Sequence, residues 1–132
     1  MSTSGIHGLY IETHNWGATV GFWQELGYKL TFETDHHSGQ LVHPDSGVYL
    51  FVNERPADEA LDIHPIVDVA RSEGFDPPAA GTVVQPFAAT HWHTQEMVLH
   101  DPDGRPVSVQ APPADAAGEW AGSGGPASGE PA

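Results

Sequence analysis

The chain has 132 residues, no cysteine, and eighteen acidic against four basic side chains, a formal charge of −14 at neutral pH. That length is one domain with room for a pocket. The missing thiols exclude a disulfide framework, a thiolate metal cage and a cysteine nucleophile, and so few Lys and Arg exclude nucleic acid as a partner. In chain order, the N-terminal MSTSGIHG has neither a basic nor an apolar signal region, and no apolar run approaches membrane-spanning length. A soluble cytoplasmic protein is therefore expected, with no membrane partner. Its acid excess either steers a cationic ligand or only keeps the chain in solution.

Ile6 to Glu12, IHGLYIE, reads as a strand buried on both sides, with His7, Leu9 and Ile11 on one face and Ile6, Gly8 and Tyr10 on the other. Asn15 caps a helix that Gly27 ends, and Trp16, Val20, Trp23 and Leu26 repeat along its core face. Gly17 and Gly21, four apart, would let this helix lie close to the sheet over Gly8. From Lys29 the period becomes two, giving strands at Lys29 to Thr34, Gly39 to His43 and Gly47 to Asn53, separated by HHSG and PDSG turns. Glu54 to Ala60 is a polar connector.

Leu61 to Val69, LDIHPIVDV, repeats the opening strand, with Ile63-His64 matching Ile6-His7. Pro65 lacks an N–H and points to an edge strand. Only Ala70 to Glu73 precedes Gly74 and the Pro77-Pro78 break, so a second helix is missing or reduced to a turn. Gly81 to Phe87 is another strand. Gln95 to His100 and Pro106 to Ala111 form a hairpin over Asp-Pro-Asp-Gly, in which Pro fixes φ and Gly supplies a positive one. Thr94, Glu96 and Val98 share a face of the first arm; Ser108 and Gln110 share a face of the second. The domain is expected over 1–112, in modules of about 5–55 and 61–112, followed by a disordered acidic Gly/Ala/Pro tail over 113–132. Trp120 in that tail is placed to dock on the sheet face that the missing helix leaves bare.

Each candidate residue carries a bland reading beside a functional one. His7 and His64 are either satisfied core histidines or the lining of a ligand cup. Glu96 is a solvated carboxylate, or a base or cation anchor in an apolar site. Trp92 braces a strand end or stacks on a flat or cationic ligand, with His91 and His93 beside it. No Ser-His-Asp spacing, phosphate loop or HExxH is present.

The repeated β-α-β-β-β order, IHGLYIE followed by FWQELGYKL, then DIHPIVDV, then MVLHDPDGRPVSV, resembles the vicinal oxygen chelate superfamily of glyoxalase I, extradiol dioxygenases and fosfomycin- and bleomycin-resistance proteins. The resemblance covers about residues 5–112. It implies an α+β fold of tandem βαβββ modules curled into a cup-shaped partial barrel, here with the second helix truncated. It also implies a divalent metal held by His7, His64 and two carboxylates. The carboxylate positions fall on Ser108 and near Leu50, so both acids are gone, and two imidazoles alone hold such metals poorly. The expected function is therefore metal-independent binding of a small molecule, a cationic antibiotic among the candidates, with no cofactor. The cup would be lined by His7, Leu9, Leu50, His64, Ile66, Trp92, Glu96, Val98, Ser108 and Gln110. The alternative is a lyase, isomerase or dioxygenase acting on vicinal oxygens, with one divalent Zn, Mn, Fe or Ni on His7, His64 and Glu96, and Glu96 catalytic. Whether the protein is an enzyme stays open at this point. A homodimer is expected, both from the resemblance and because a sheet face without its helix needs cover.

Overall fold

A computed structural model describes residues 3–90 and 93–113. His91, Trp92, nearly all of the 113–132 tail and Trp120 lie outside the described residues, so the expectations placed on them are not addressed by the fold. The elements are β1 (Ile6–Thr13), α1 (Trp16–Glu25), β2 (Lys29–Glu33), β3 (Ser38–Val42), β4 (Tyr49–Glu54), β5 (Ile63–Asp68), β6 (Thr82–Ala89), β7 (Gln95–His100) and β8 (Pro106–Ala111). They form one eight-stranded sheet in the order β2-β3-β4-β1-β5-β8-β7-β6. In each half the first and fourth strands run parallel, β1 with β4 and β5 with β8, and the other pairings are antiparallel. The halves join along an antiparallel β1–β5 seam. This is the expected tandem, cup-like α+β arrangement, open rather than closed, with a single helix among the described residues.

Helix α1 starts where the sequence places its cap: the Asn15 side chain accepts the Ala18 N–H. A second orphan donor, the Trp16 N–H, is taken by Glu54 Oε1 at 2.8 Å. That backbone donor holds the Glu54 carboxyl below the usual carboxylate range. Gly27, at φ 102°, ends the helix. Trp16 and Val20 pack on Ile11, Leu41, Leu50 and Val52, with Leu9 and Trp23 against the same cluster.

Several expectations are corrected here. Leu26 is 54% exposed and is not core. A Cβ at Gly17 or Gly21 would meet nothing within 4 Å, so these glycines do not press the helix onto the sheet; Gly39 of β3, beside the Trp16 ring, is the position of close approach. Pro65 sits in a central strand between β1 and β8. Pairing of β5 with β8 starts only at Ile66↔Ser108, so no β8 partner stands opposite the residue that lacks an N–H.

In the second half no helix forms among the described residues between β5 and β6. Its outer face is packed instead by Val69, Met97, Leu99, Val109 and Ala111, with Phe75 from the connection and Phe87 from β6 against them. Val83 and Val84 on β6 stay 43% and 53% exposed. The DPDG turn forms as its residues dictate: Asp101 Oδ1 accepts the N–H groups of Asp103 and Arg105, each at 2.9 Å. The Arg105 N–H is the chief reason the Asp101 carboxyl lies below its ordinary range. No helix among the described residues is long and apolar enough to cross a membrane.

Candidate functional site

The concave face of the sheet carries a cavity of 330 Å³ lined by Tyr10, Tyr49, Phe51, His64, Ile66, Glu96, Val98, Ser108 and Gln110. Period-two alternation and register account for this set. Gln110 pairs with Glu96 across β8–β7 and Ser108 with Val98, so all four share the concave face. Tyr10 faces His64 across the seam, and Tyr49 and Phe51 alternate with Leu50 along β4.

Trp92 lies outside the described residues, and of the other nine expected in the cup six stand in its wall: His64, Ile66, Glu96, Val98, Ser108 and Gln110. Leu9 and Leu50 do not. They pair across β1–β4 on the opposite face, beneath α1, where Leu50 is 1% exposed. His7 is also outside the wall. The β1–β5 register slips between Ile6 and Gly8, which makes His7 the extra residue of a bulge, and its Nδ1 lies 2.7 Å from Asp68 Oδ2. A face assignment that starts from His7 is thus wrong by one residue for the rest of β1. Sequence reasoning missed Tyr10, Tyr49 and Phe51, because alternation of apolar with apolar does not say which row faces a helix and which a cup.

The polar part of the wall is one connected set. His64 Nδ1 lies 2.7 Å from Asp62 Oδ2 and its Nε2 lies 3.2 Å from Ser108 Oγ. Ser108 Oγ donates to Glu96 Oε2 at 2.5 Å, and Gln110 Nε2 donates to the same oxygen at 3.2 Å. Thr94 Oγ1 donates to Gln110 Oε1 at 2.8 Å, which fixes the amide orientation. Asp62, His64 and Ser108 thus stand in acid–imidazole–hydroxyl order, although no sequence spacing announced it. The Ser108 proton is directed to Glu96, and beside His64 the only N–H donor among the lining side chains is the already committed Gln110 amide. The set therefore orients the Glu96 carboxylate. Glu96 Oε1 accepts no hydrogen bond from the described residues, so the carboxylate is held by one oxygen and open at the other.

The opposite wall is aromatic. Tyr10 stacks on His64, centroids 4.9 Å apart at 30°, and on Phe51 at 6.4 Å and 15°. The Tyr10 hydroxyl donates to Glu12 Oε2 at 2.7 Å and accepts from Asn53 Nδ2 at 3.1 Å. Burial, reinforced by Glu12, pushes this phenol up to about 12. The Tyr49 ring lies over Gly8, where a Cβ would come within 2.7 Å of it. Tyr49 is 2% exposed and its hydroxyl has no hydrogen-bond partner among the described residues. Burial first, then the charges of Asp68 and Glu96, push its ionisation far above the ordinary tyrosine range. A buried unpaired hydroxyl costs about 1–3 kcal/mol. Tyr49→Phe is accordingly expected to stabilise the fold by about 1 kcal/mol, read as a higher urea midpoint at unchanged slope; a lower midpoint would mean that the hydroxyl is satisfied.

A divalent metal on His7, His64 and Glu96 does not fit these residues. His7 is turned to Asp68, both ring nitrogens of His64 face other partners, and Glu96 is bonded to Ser108 and Gln110. No three His, Asp or Glu side chains among the described residues are grouped to share an ion.

The tandem cup has counterparts among solved structures. It superposes on methylmalonyl-CoA epimerase from Streptomyces coelicolor with TM-score 0.59 and 18% identity, covering 86% of this chain and 100% of that one. A glyoxalase/bleomycin resistance protein/dioxygenase superfamily member from Vibrio splendidus 12B01 gives 0.55 and 12%, covering 83% and 99%. A Mn(II)-bound glyoxalase from Novosphingobium aromaticivorans gives 0.53 and 17%, covering 83% of this chain but only 39% of that longer one. No protein-family model and no curated protein sequence matches the chain. The chain has the vicinal oxygen chelate fold, that of the glyoxalase/bleomycin resistance protein/dioxygenase superfamily. At these identities the likeness is one of fold, and the chemistry must be argued from the wall of the cup.

Proposed function

We propose that the protein is a metal-independent receptor of the glyoxalase/bleomycin-resistance type, which holds a small organic cation in the cup without turning it over. One observation carries the reading: among the described residues, Glu96 is the only acidic side chain in the cavity wall, it stands with aromatic and aliphatic side chains, and no Lys or Arg is among them. Ser108 and Gln110 pin its Oε2, so a ligand N–H meets a preoriented Oε1 at little ordering cost. The formal charge of −14 favours cations over anions on the approach as well. A volume of 330 Å³ is at the small end of ligand sites, which suits a metabolite or a compact cationic antibiotic lying wholly inside.

A charge-assisted hydrogen bond contributes about 1.5–3 kcal/mol. Glu96→Gln keeps the shape and removes the charge, so it is expected to weaken protonated amines about tenfold to a hundredfold while leaving neutral analogues unchanged. Calorimetric titration of both proteins with a panel of primary amines and their alcohol counterparts checks this. Equal amine affinity in the two proteins, or tighter binding of carboxylates than of amines, would overturn the reading.

A further inference from the structure

We infer that the ligand is an arylalkylamine, a flat ring joined by a short chain to a protonated amine; this rests on the cation reading above and adds the ligand's shape. The wall of the cup is divided by strand. Its three phenyl-type rings come from β1 and β4, namely Tyr10, Tyr49 and Phe51, whereas Glu96, Ser108 and Gln110 come from β7 and β8. The order β4-β1-β5-β8-β7 puts these two groups on opposite sides, with β5 between them. Strands lie about 4.8 Å apart, and β5 and β8 stand between the strands that carry the rings and the strand that carries Glu96, so the two chemistries enter the cup from opposite sides. A small quaternary ammonium, which is held inside an aromatic box, does not match that separation. A molecule with its two chemistries at opposite ends does.

Ile66 of β5 lies between the two groups and Val98 lies beside Glu96 on β7, an apolar surface that suits a short methylene linker. His64 stacks on Tyr10, which stacks on Phe51, and its Nε2 lies 3.2 Å from Ser108 Oγ, so the aromatic surface runs up to the polar side. At the head end Glu96 Oε2 already accepts from both Ser108 and Gln110. A guanidinium needs both carboxylate oxygens for its paired bonds, whereas an ammonium needs one. The head is therefore an amine.

Titration of the full chain with four probes tests this: 2-phenylethylamine, 2-cyclohexylethylamine, 2-phenylethylguanidine and 2-phenylethanol. The aryl amine is expected to bind about tenfold tighter than its saturated twin, from stacking beyond buried area, and tighter than the guanidine and the alcohol. Phe51→Leu is expected to erase most of the aryl preference while the amine preference stays. If the two amines bind equally to the unaltered protein and both lose affinity in Glu96→Gln, the cation reading stands and the aryl inference falls. If the guanidine matches the amine, the single-oxygen argument falls. If none of the amines binds, the cation reading and the inference fall together.

Discussion

Leu50→Ala is expected to cost about 2–5 kcal/mol of stability, enough to remove much of the margin of a domain this size. Leu50 is 1% exposed, between Leu41 of β3 and Leu9 of β1, under the Trp16 and Val20 side chains of α1. Truncation leaves a cavity there that α1, anchored at its start by Asn15 and Glu54, cannot sink to fill. The neighbouring Phe51→Leu should act in the opposite sense, costing little stability because Phe51 borders the open cup, and showing its effect in ligand affinity. Urea unfolding of the two variants side by side is the measurement. If Leu50→Ala is tolerated and Phe51→Leu unfolds the chain, the two faces of β4 have been assigned the wrong way round.

The second large effect is at Gly39. A Cβ there would run into the Phe32 carbonyl oxygen, with the Trp16 ring at 3.0 Å and Glu33 Cα at 3.1 Å. Two of these neighbours are backbone of β2 and cannot swing aside as a side chain would, so relief requires β2 and β3 to separate beside a register slip between Leu30 and Phe32. Gly39→Ala is expected to cost about 3 kcal/mol, seen as a lowered thermal midpoint. Gly17→Ala is the control: its Cβ meets nothing, and alanine is the better helix former, so that variant should be neutral or slightly stabilising. An unchanged midpoint for Gly39→Ala would show that β2 and β3 can separate there at little cost.

Order along the chain was legible because its signals are local. The Asn15 cap, the Gly27 stop, the DPDG turn and the change of hydrophobic period act within a few residues of themselves, and together they yield the tandem βαβββ plan with its second helix missing. The wall contributed by β7 and β8 was legible for a related reason. Glu96, Ser108 and Gln110 are polar, so alternation with Met97, Val107 and Val109 says which row cannot be buried against hydrocarbon, and that row is the one facing the cavity.

The wall contributed by β1 and β4 could not be read in the same way. Both of its rows are apolar, and Tyr10, Tyr49 and Phe51 differ from Leu9, Leu50 and Val52 only in what they pack against. A bulge at His7 then shifts the one marker the sequence offered. Which row takes the helix is settled by where α1 lies, a contact between segments that no period encodes. The alignment of Asp62, His64, Ser108 and Glu96 is likewise a product of strand register, since side chains from three strands meet only once β5, β8 and β7 are paired. The sequence by itself determined the elements, their order and the polar half of the cup. The tertiary structure alone decided its aromatic half and the held carboxylate, because both depend on which faces meet across strands that the chain keeps far apart.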